Sequence, residues 1–160
     1  MNISDLDKLW LNRAVTQSKI SVRKGCFPAG AIVARPQGPF FRGISDSYPG
    51  YQHAEIRAIQ KASGNIRKTA DSDLIGFTLF TSMEPCLMCL TTAYQAGIRR
   101  ILYVIPKQDV SPAYYEGSQT SKEVIQNFHQ PTEFLHVSEL QEQALKIVRD
   151  WEISRLLTNF

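Results

Sequence analysis

His53-Ala54-Glu55 and Pro85-Cys86-Leu87-Met88-Cys89 constrain this chain more than any other feature, because one imidazole, two thiols and one carboxylate have to be carried to a common point by separate segments. Residues three apart are neighbours on a helix surface, so Cys86 and Cys89 can reach one metal ion without strain. Pro85 lacks the backbone donor that the first turn of a helix leaves unpaired, and its fixed φ suits the first helical position, so the spacing predicts a helix beginning at Pro85. The partial positive charge of that N-terminus, together with a metal, favours thiolates. His53, Cys86 and Cys89 make three ligands, the number a catalytic zinc site takes while leaving its fourth tetrahedral position to water. One Zn2+ per chain is expected.

Glu55 is the residue that would turn such a site into an enzyme. Zinc lowers the pKa of a water molecule to ~7, and a carboxylate beside the metal can move the released proton, a contribution worth roughly 10² to 10⁴ in rate. The competing reading is a closed structural site with Cys26 as fourth ligand. No second Cys-x-x-Cys or His pair supports it, and 160 residues can fold without a structural metal. His129 and His136 lack ligand spacing to a second metal-binding side chain and are read as surface or hydrogen-bonded positions.

With 43% hydrophobic and 10% aromatic residues, the chain is expected to form one globular domain over residues 1–160 with a core of its own. Its net charge of +3 is compatible with an anionic or nucleic-acid substrate without requiring one, and no basic cluster is longer than Arg23-Lys24 or Arg99-Arg100. The N-terminus lacks the basic and apolar regions of a secretory signal, and no run approaches the ~18 apolar residues of a membrane span, so a cytoplasmic protein with no membrane partner is expected. Two of the three cysteines lie in the ligand motif, which leaves no internal disulfide framework.

Along the chain, Ser4-x-x-Asp7 resembles a capping box ahead of a helical stripe through Leu6, Leu9, Trp10 and Ala14 that should run to about Lys19, with Trp10 in the core. Residues 29–34 and 40–45 read as a hairpin across the turn-rich Arg35-Pro36-Gln37-Gly38-Pro39. His53 opens a helix for which Gly64 is the expected C-cap. A strand over 77–81 leads into the cysteine helix, which Gly97 closes. The strands expected at 101–105 and 133–137 are joined by a helical segment over 121–127, and a crossover helix implies that they are parallel. An amphipathic helix over 139–157 ends the pattern, with Trp151 assigned to core or dimer packing. The order predicts an α/β fold, a three-layer α/β/α sandwich around a mixed five-stranded sheet.

His-x-Glu with Pro-Cys-x-x-Cys is the signature of the zinc nucleobase deaminases, in which the Glu is not a ligand. From the hairpin to Asp109 the sequence resembles the cytidine deaminase-like superfamily, in the branch of guanine deaminases and tRNA adenosine deaminases. Three segments carry the likeness: Ser82-Met83-Glu84-Pro85-Cys86-Leu87-Met88-Cys89, Pro28-Ala29-Gly30-Ala31, and Ala96-Gly97-Ile98-Arg99-Arg100. The resemblance implies a cytidine deaminase-like fold and a homodimer, zinc on His53, Cys86 and Cys89, Glu55 as proton shuttle, and hydrolytic release of ammonia from a nucleobase or related aminated heterocycle. It also implies that Ala31 belongs to the pocket floor.

Lys107-Gln108-Asp109 followed by Tyr114-Tyr115-Glu116 is similar to the guanine deaminase side of the branch, which makes Asp109 and Tyr114 candidate substrate-binding residues, although Asp109 also reads as an ordinary turn cap. Either of Tyr114 and Tyr115 could cover a planar ring, and the other could anchor the loop. A tRNA partner is the less favoured alternative, since residues 153–160 contain only Arg155 as a positive charge. The chain departs from the branch at Ser45, where an Asn is usual; a hydroxyl cannot present a carbonyl and an NH₂ donor together. The loop from Ser45 to His53 also reads as shortened. A catalytically inactive zinc-binding paralogue is the remaining alternative, and the intact Glu55 argues against it.

Overall fold

The computed structural model of the protein describes residues 3–46, 50–65 and 74–158. Ten regular elements follow in the order α1 (Asp5–Arg23), β1 (Gly30–Ala34), β2 (Phe40–Ile44), α2 (Ala54–Asn65), β3 (Thr78–Met83), α3 (Leu87–Gln95), β4 (Arg100–Ile105), α4 (Ser121–Gln126), β5 (Glu133–His136) and α5 (Gln141–Thr158). The five strands form one mixed sheet in the order β2-β1-β3-β4-β5. β1 is antiparallel to both β2 and β3, whereas β3, β4 and β5 are mutually parallel, as crossover connections through helices require. Every residue of β1 and β3 is buried, because α1 covers one face of the sheet and α2 the other. α5 extends the first layer along β4, and α3 extends the second beside α2. The expected sandwich is the one observed.

Several element ends differ from expectation for local reasons. α1 carries the Ser4–Asp7 capping box but runs past Lys19 to Arg23. Its buried face continues there through Ser18 and Ser21, whose hydroxyls donate to the carbonyls of Val15 and Phe27 (2.7 and 2.6 Å), so burial persists where apolar periodicity stops. Gly25, at φ +78°, then turns the chain out of the helix. Gly64 lies inside α2 and does not cap it. Gly97, at φ +93°, closes the cysteine helix as expected.

The helix-on-sheet approach that seats the motifs is unusually close at Gly43 in β2. A Cβ at Gly43 would stand 1.8 Å from the Ala54 carbonyl oxygen and 2.8 Å from the Ala58 nitrogen, so the first turn of α2 rests directly on the strand backbone. Overpacking of a core typically costs about 1–3 kcal/mol, and here the obstacle is backbone. Gly43→Ala should therefore lose about 3 kcal/mol of stability in urea unfolding and should retain less zinc, since Ala54 lies between His53 and Glu55.

On the far side of the sheet, Arg100 at the start of β4 makes a bidentate pair with Asp7 (2.6 and 3.1 Å) and a further bond to Glu133 of β5 (2.7 Å). Burial alone would raise the Asp7 carboxyl, but hydrogen bonds from Arg100 and Ser4 outweigh it and hold it below the ordinary range. The network ties α1 to the two outer parallel strands.

Candidate active site

The site lies where α2 and α3 begin side by side at one end of the strands, beyond Met83 of the central strand β3. His53 is the last residue before α2, and its carbonyl accepts the first intrahelical bond, from Arg57 (3.0 Å). Its imidazole Nδ1 faces both sulfurs, 3.4 Å from Cys86 Sγ and 3.5 Å from Cys89 Sγ. All three donor atoms lie within 4.8 Å of one another, the one such group of three found among the described residues. Tetrahedral zinc with Zn–N of about 2.0–2.1 Å and Zn–S of about 2.3 Å would separate nitrogen and sulfur ligands by about 3.5 Å, so these residues fit the ion. Cys26 sits at the end of α1 with its Sγ directed to the Lys24 carbonyl (3.7 Å), outside the group.

Pro85 is not the first helical residue. Cys86 occupies the N-cap position in extended conformation (φ −66°, ψ 168°), and α3 proper begins at Leu87. The reason is chemical: the Cys86 sulfur points to His53 and makes no capping bond, so it cannot also serve the first amides of its own helix. The carboxylate of Glu116, from the loop after β4, accepts long bonds from Leu87 N and Met88 N instead, both at 3.4 Å.

Charge within the cluster is unevenly held. Cys86 is brought down to about 6, chiefly by the hydrogen bond from Cys89 and then by His53, against the opposing effect of burial. Cys89 is pushed up by its hydrogen bond to Cys86 and by burial. His53 is raised, first by its hydrogen bond to Cys86, whereas burial works against it. A divalent cation would deprotonate both thiols outright. Glu55, buried at the second position of α2, is pushed up to about 7 by desolvation and then by the charge on Cys86.

A cavity of about 300 Å³ opens onto this cluster. Glu55, His53 and Cys86 form its chemical end; Phe27, Ala29, Ser45, Asp46, Met83 and Tyr114 are among its walls. Of the residues expected to bind substrate, Ser45 and Tyr114 line the cavity. Ala31 is fully buried within β1, paired with Gly43 and Thr81, and the floor position belongs to Ala29. Asp109 is exposed at the end of a 3₁₀ turn, accepts from Gln141 Nε2 (2.6 Å) and does not line the cavity. His136 is likewise engaged elsewhere, with the Val104 carbonyl and Gln141. The loop read from the sequence as shortened includes residues 47–49, which lie outside the described residues.

Sequence reasoning missed Phe27 and Asp46, and left Tyr115 undecided. Both tyrosines touch the cavity, but Tyr115 is the anchor: its hydroxyl donates to the Glu84 carbonyl (2.8 Å), and its ring packs with Ile56, Cys86 and Cys89. Glu84 also lines the cavity, yet its carboxylate is spent on Lys107 N (2.9 Å) and Ser121 Oγ (2.7 Å), which fixes the chain after β4. Trp151 is half-buried, with its ring against Phe27 and Tyr114.

A buried carboxylate beside one imidazole and two thiols, at paired helix starts and facing a cavity, defines a zinc-dependent hydrolytic site. Residues 4–105 match the cytidine and deoxycytidylate deaminase zinc-binding region, and the chain belongs to that family. It is an enzyme of the deaminase class, a hydrolase acting on C–N bonds. The chain is 32% identical over 111 residues to a probable cytosine deaminase of Schizosaccharomyces pombe (68% of this chain, 65% of that one). It is also 32% identical over 119 residues to a guanine deaminase of Bacillus subtilis (72% and 74%). Identity to a tRNA-specific adenosine deaminase of Buchnera aphidicola is 26% over 110 residues (67% and 71%). In fold it is similar to a solved guanine deaminase of Nitrosomonas europaea, with a TM-score of 0.72 at 20% identity, covering 89% of this chain and 82% of that one. Among the described residues, no helix is long and apolar enough to cross a membrane.

Proposed function

We propose that the chain deaminates a free or minimally substituted aminated heterocycle of the guanine type. The observation that carries this reading is the cavity itself: about 300 Å³, with Phe27 and Tyr114 as aromatic walls and Glu55, His53 and Cys86 at its chemical end. That volume is at the lower bound of small-molecule sites, suited to a planar ring more than to a nucleotide within a folded RNA. The guanine deaminase names of the B. subtilis and N. europaea proteins support the same choice.

In this reading His53 Nδ1, Cys86 Sγ and Cys89 Sγ hold zinc, which when bound supplies Lewis acidity and lowers the pKa of water to about 7. The aromatic walls hold the ring with its amino-bearing carbon toward Glu55. The Glu55 carboxylate accepts one proton of the attacking water and passes it to the ring nitrogen, then takes the second proton from the newly added hydroxyl and delivers it to the amino group. Water contributes the new carbonyl oxygen, and the amine leaves as ammonia. Ser45, buried at the end of β2, offers the ring one hydroxyl that can donate or accept.

A tRNA substrate is the second reading, favoured by the name of the B. aphidicola relative. Ammonia release measured over guanine, cytosine, adenine, their nucleosides and a tRNA anticodon stem-loop separates the two. The expected result is fastest turnover of a free base with little dependence on salt, because phosphate contacts would make the rate fall steeply as salt rises. Inosine formed in the stem-loop faster than any product from the small molecules would reverse the choice. A zinc-loaded chain active on none of them would favour the inactive paralogue.

A further inference from the structure

The cavity wall formed by Phe27 and Tyr114 is held from behind by the last turns of α5. Tyr114 donates its hydroxyl to Glu152 Oε1, a partner 38 residues away in sequence. The Phe27 ring meets the Tyr114 ring edge-on (centroids 5.0 Å, 80°) and the Trp151 ring edge-on (5.3 Å, 76°), and Trp151 also reaches Tyr114 (6.3 Å). Arg155 caps the outer face of Trp151 at 4.9 Å. Only Phe27 and Tyr114 of this group line the cavity; Trp151 and Glu152 do not.

Tyr114 stands in a 3₁₀ turn, Pro112–Tyr114, on a loop with no strand or long helix to fix it. Its ring packs against Phe27, Trp151 and the rim of the core, contacts that carry little direction, so without an acceptor it would keep freedom to shift about χ1 and χ2. Glu152 removes that freedom by a charge-assisted bond, and Trp151 closes the space into which Phe27 would otherwise swing. The Tyr114 side of the wall therefore depends on residues 112–155, whereas Phe27 and the chemical end of the cavity lie within the family-shared residues 4–105.

We propose that Glu152 and Trp151 are positioning residues of the active site, acting through Tyr114 and Phe27 to set the position of the planar ring and hence the preference among aminated heterocycles. This inference rests on the small-heterocycle reading above. It assigns α5 a part in substrate selection besides its packing on the sheet.

The test is steady-state kinetics, with zinc content measured in parallel, for the wild type, Glu152→Ala, Glu152→Gln, Tyr114→Phe and the Glu152→Ala/Tyr114→Phe double variant. The substrate is whichever member of the base and nucleoside panel the wild type turns over fastest. Losing a hydrogen bond to a charged group should raise KM about tenfold in Glu152→Ala while kcat stays within about twofold and zinc content is unchanged. Tyr114→Phe should match it, the double variant should be no worse than either single change, and Glu152→Gln should recover most of the loss because an amide oxygen also accepts from a phenol. If Glu152→Ala fails to fold, Tyr114→Phe and Glu152→Gln give the same reading. Wild-type KM in Tyr114→Phe, additive effects in the double variant, or a kcat that falls together with zinc content would overturn the positioning role. A wild type inactive on the whole panel would defeat the functional reading, and this inference with it, before any variant is compared.

Discussion

Glu55→Gln should bind zinc at the wild-type ratio and lose at least about 10²-fold in turnover, the lower end of what a positioned acid or base contributes. The amide preserves the shape of a side chain that is only 6% exposed and packed beside Cys86, so the fold and the three donor atoms have no reason to move. What it removes is the capacity to accept a proton and return it. The same substitution has a signature that does not depend on activity. Burial and the Cys86 charge raise the folded carboxyl to about 7, whereas the unfolded chain titrates near the ordinary value of 4.5. Between those values the unfolded state binds fewer protons, so each rise in pH favours unfolding, and the penalty is complete above about 7. Chelator-treated Glu55→Gln should accordingly melt at a higher temperature than chelator-treated wild type at pH 8, and the gap should close toward pH 4. Undiminished turnover in the variant would exclude Glu55 from the proton transfers assigned to it.

Cys86→Ser should lose both zinc and turnover, and Cys26→Ser should keep both. Metal analysis of the wild type is expected to give one zinc per chain. The contrast follows from geometry: Cys86 Sγ is 3.4 Å from His53 Nδ1 within the three-residue cluster, whereas Cys26 Sγ faces a carbonyl at the end of α1. A serine hydroxyl in place of Cys86 offers no thiolate and stays protonated near neutral pH, so one of only three protein ligands is gone. Zinc lost on the Cys26 change would mean a closed structural site with Cys26 as its fourth ligand.

How much of this was legible in the sequence depended on whether the determining contacts were local. The metal cluster was legible because Cys86 and Cys89 are three residues apart and His53 begins the preceding helical pattern; the parallel pairing of β4 and β5 followed from the helix between them. Pro85 misled because the capping duty of Cys86 is overridden by its sulfur's orientation toward His53 and handed to Glu116, 30 residues further on, which no local pattern records. The end of α1 was hidden by Ser18 and Ser21, polar in composition yet buried through bonds to backbone carbonyls. Tyr114 and Tyr115 are adjacent and chemically alike, and only the three-dimensional positions of Glu84 and Glu152 divide them into anchor and wall. Asp109 drew attention by its place after a strand, but a 3₁₀ turn directs it to Gln141.

The borrowed cap on α3 has a thermodynamic consequence. Leu87 and Met88 amides, immediately after the first cysteine ligand, share the Glu116 carboxylate with the very loop that carries Tyr114 and Tyr115. The start of the ligand helix and the loop that walls the pocket are thus joined through one carboxylate. Reciprocity then applies: if an ion seated by His53, Cys86 and Cys89 steadies that loop and tightens the grip on a planar ring by some factor, the ring must tighten the grip on the ion by the same factor.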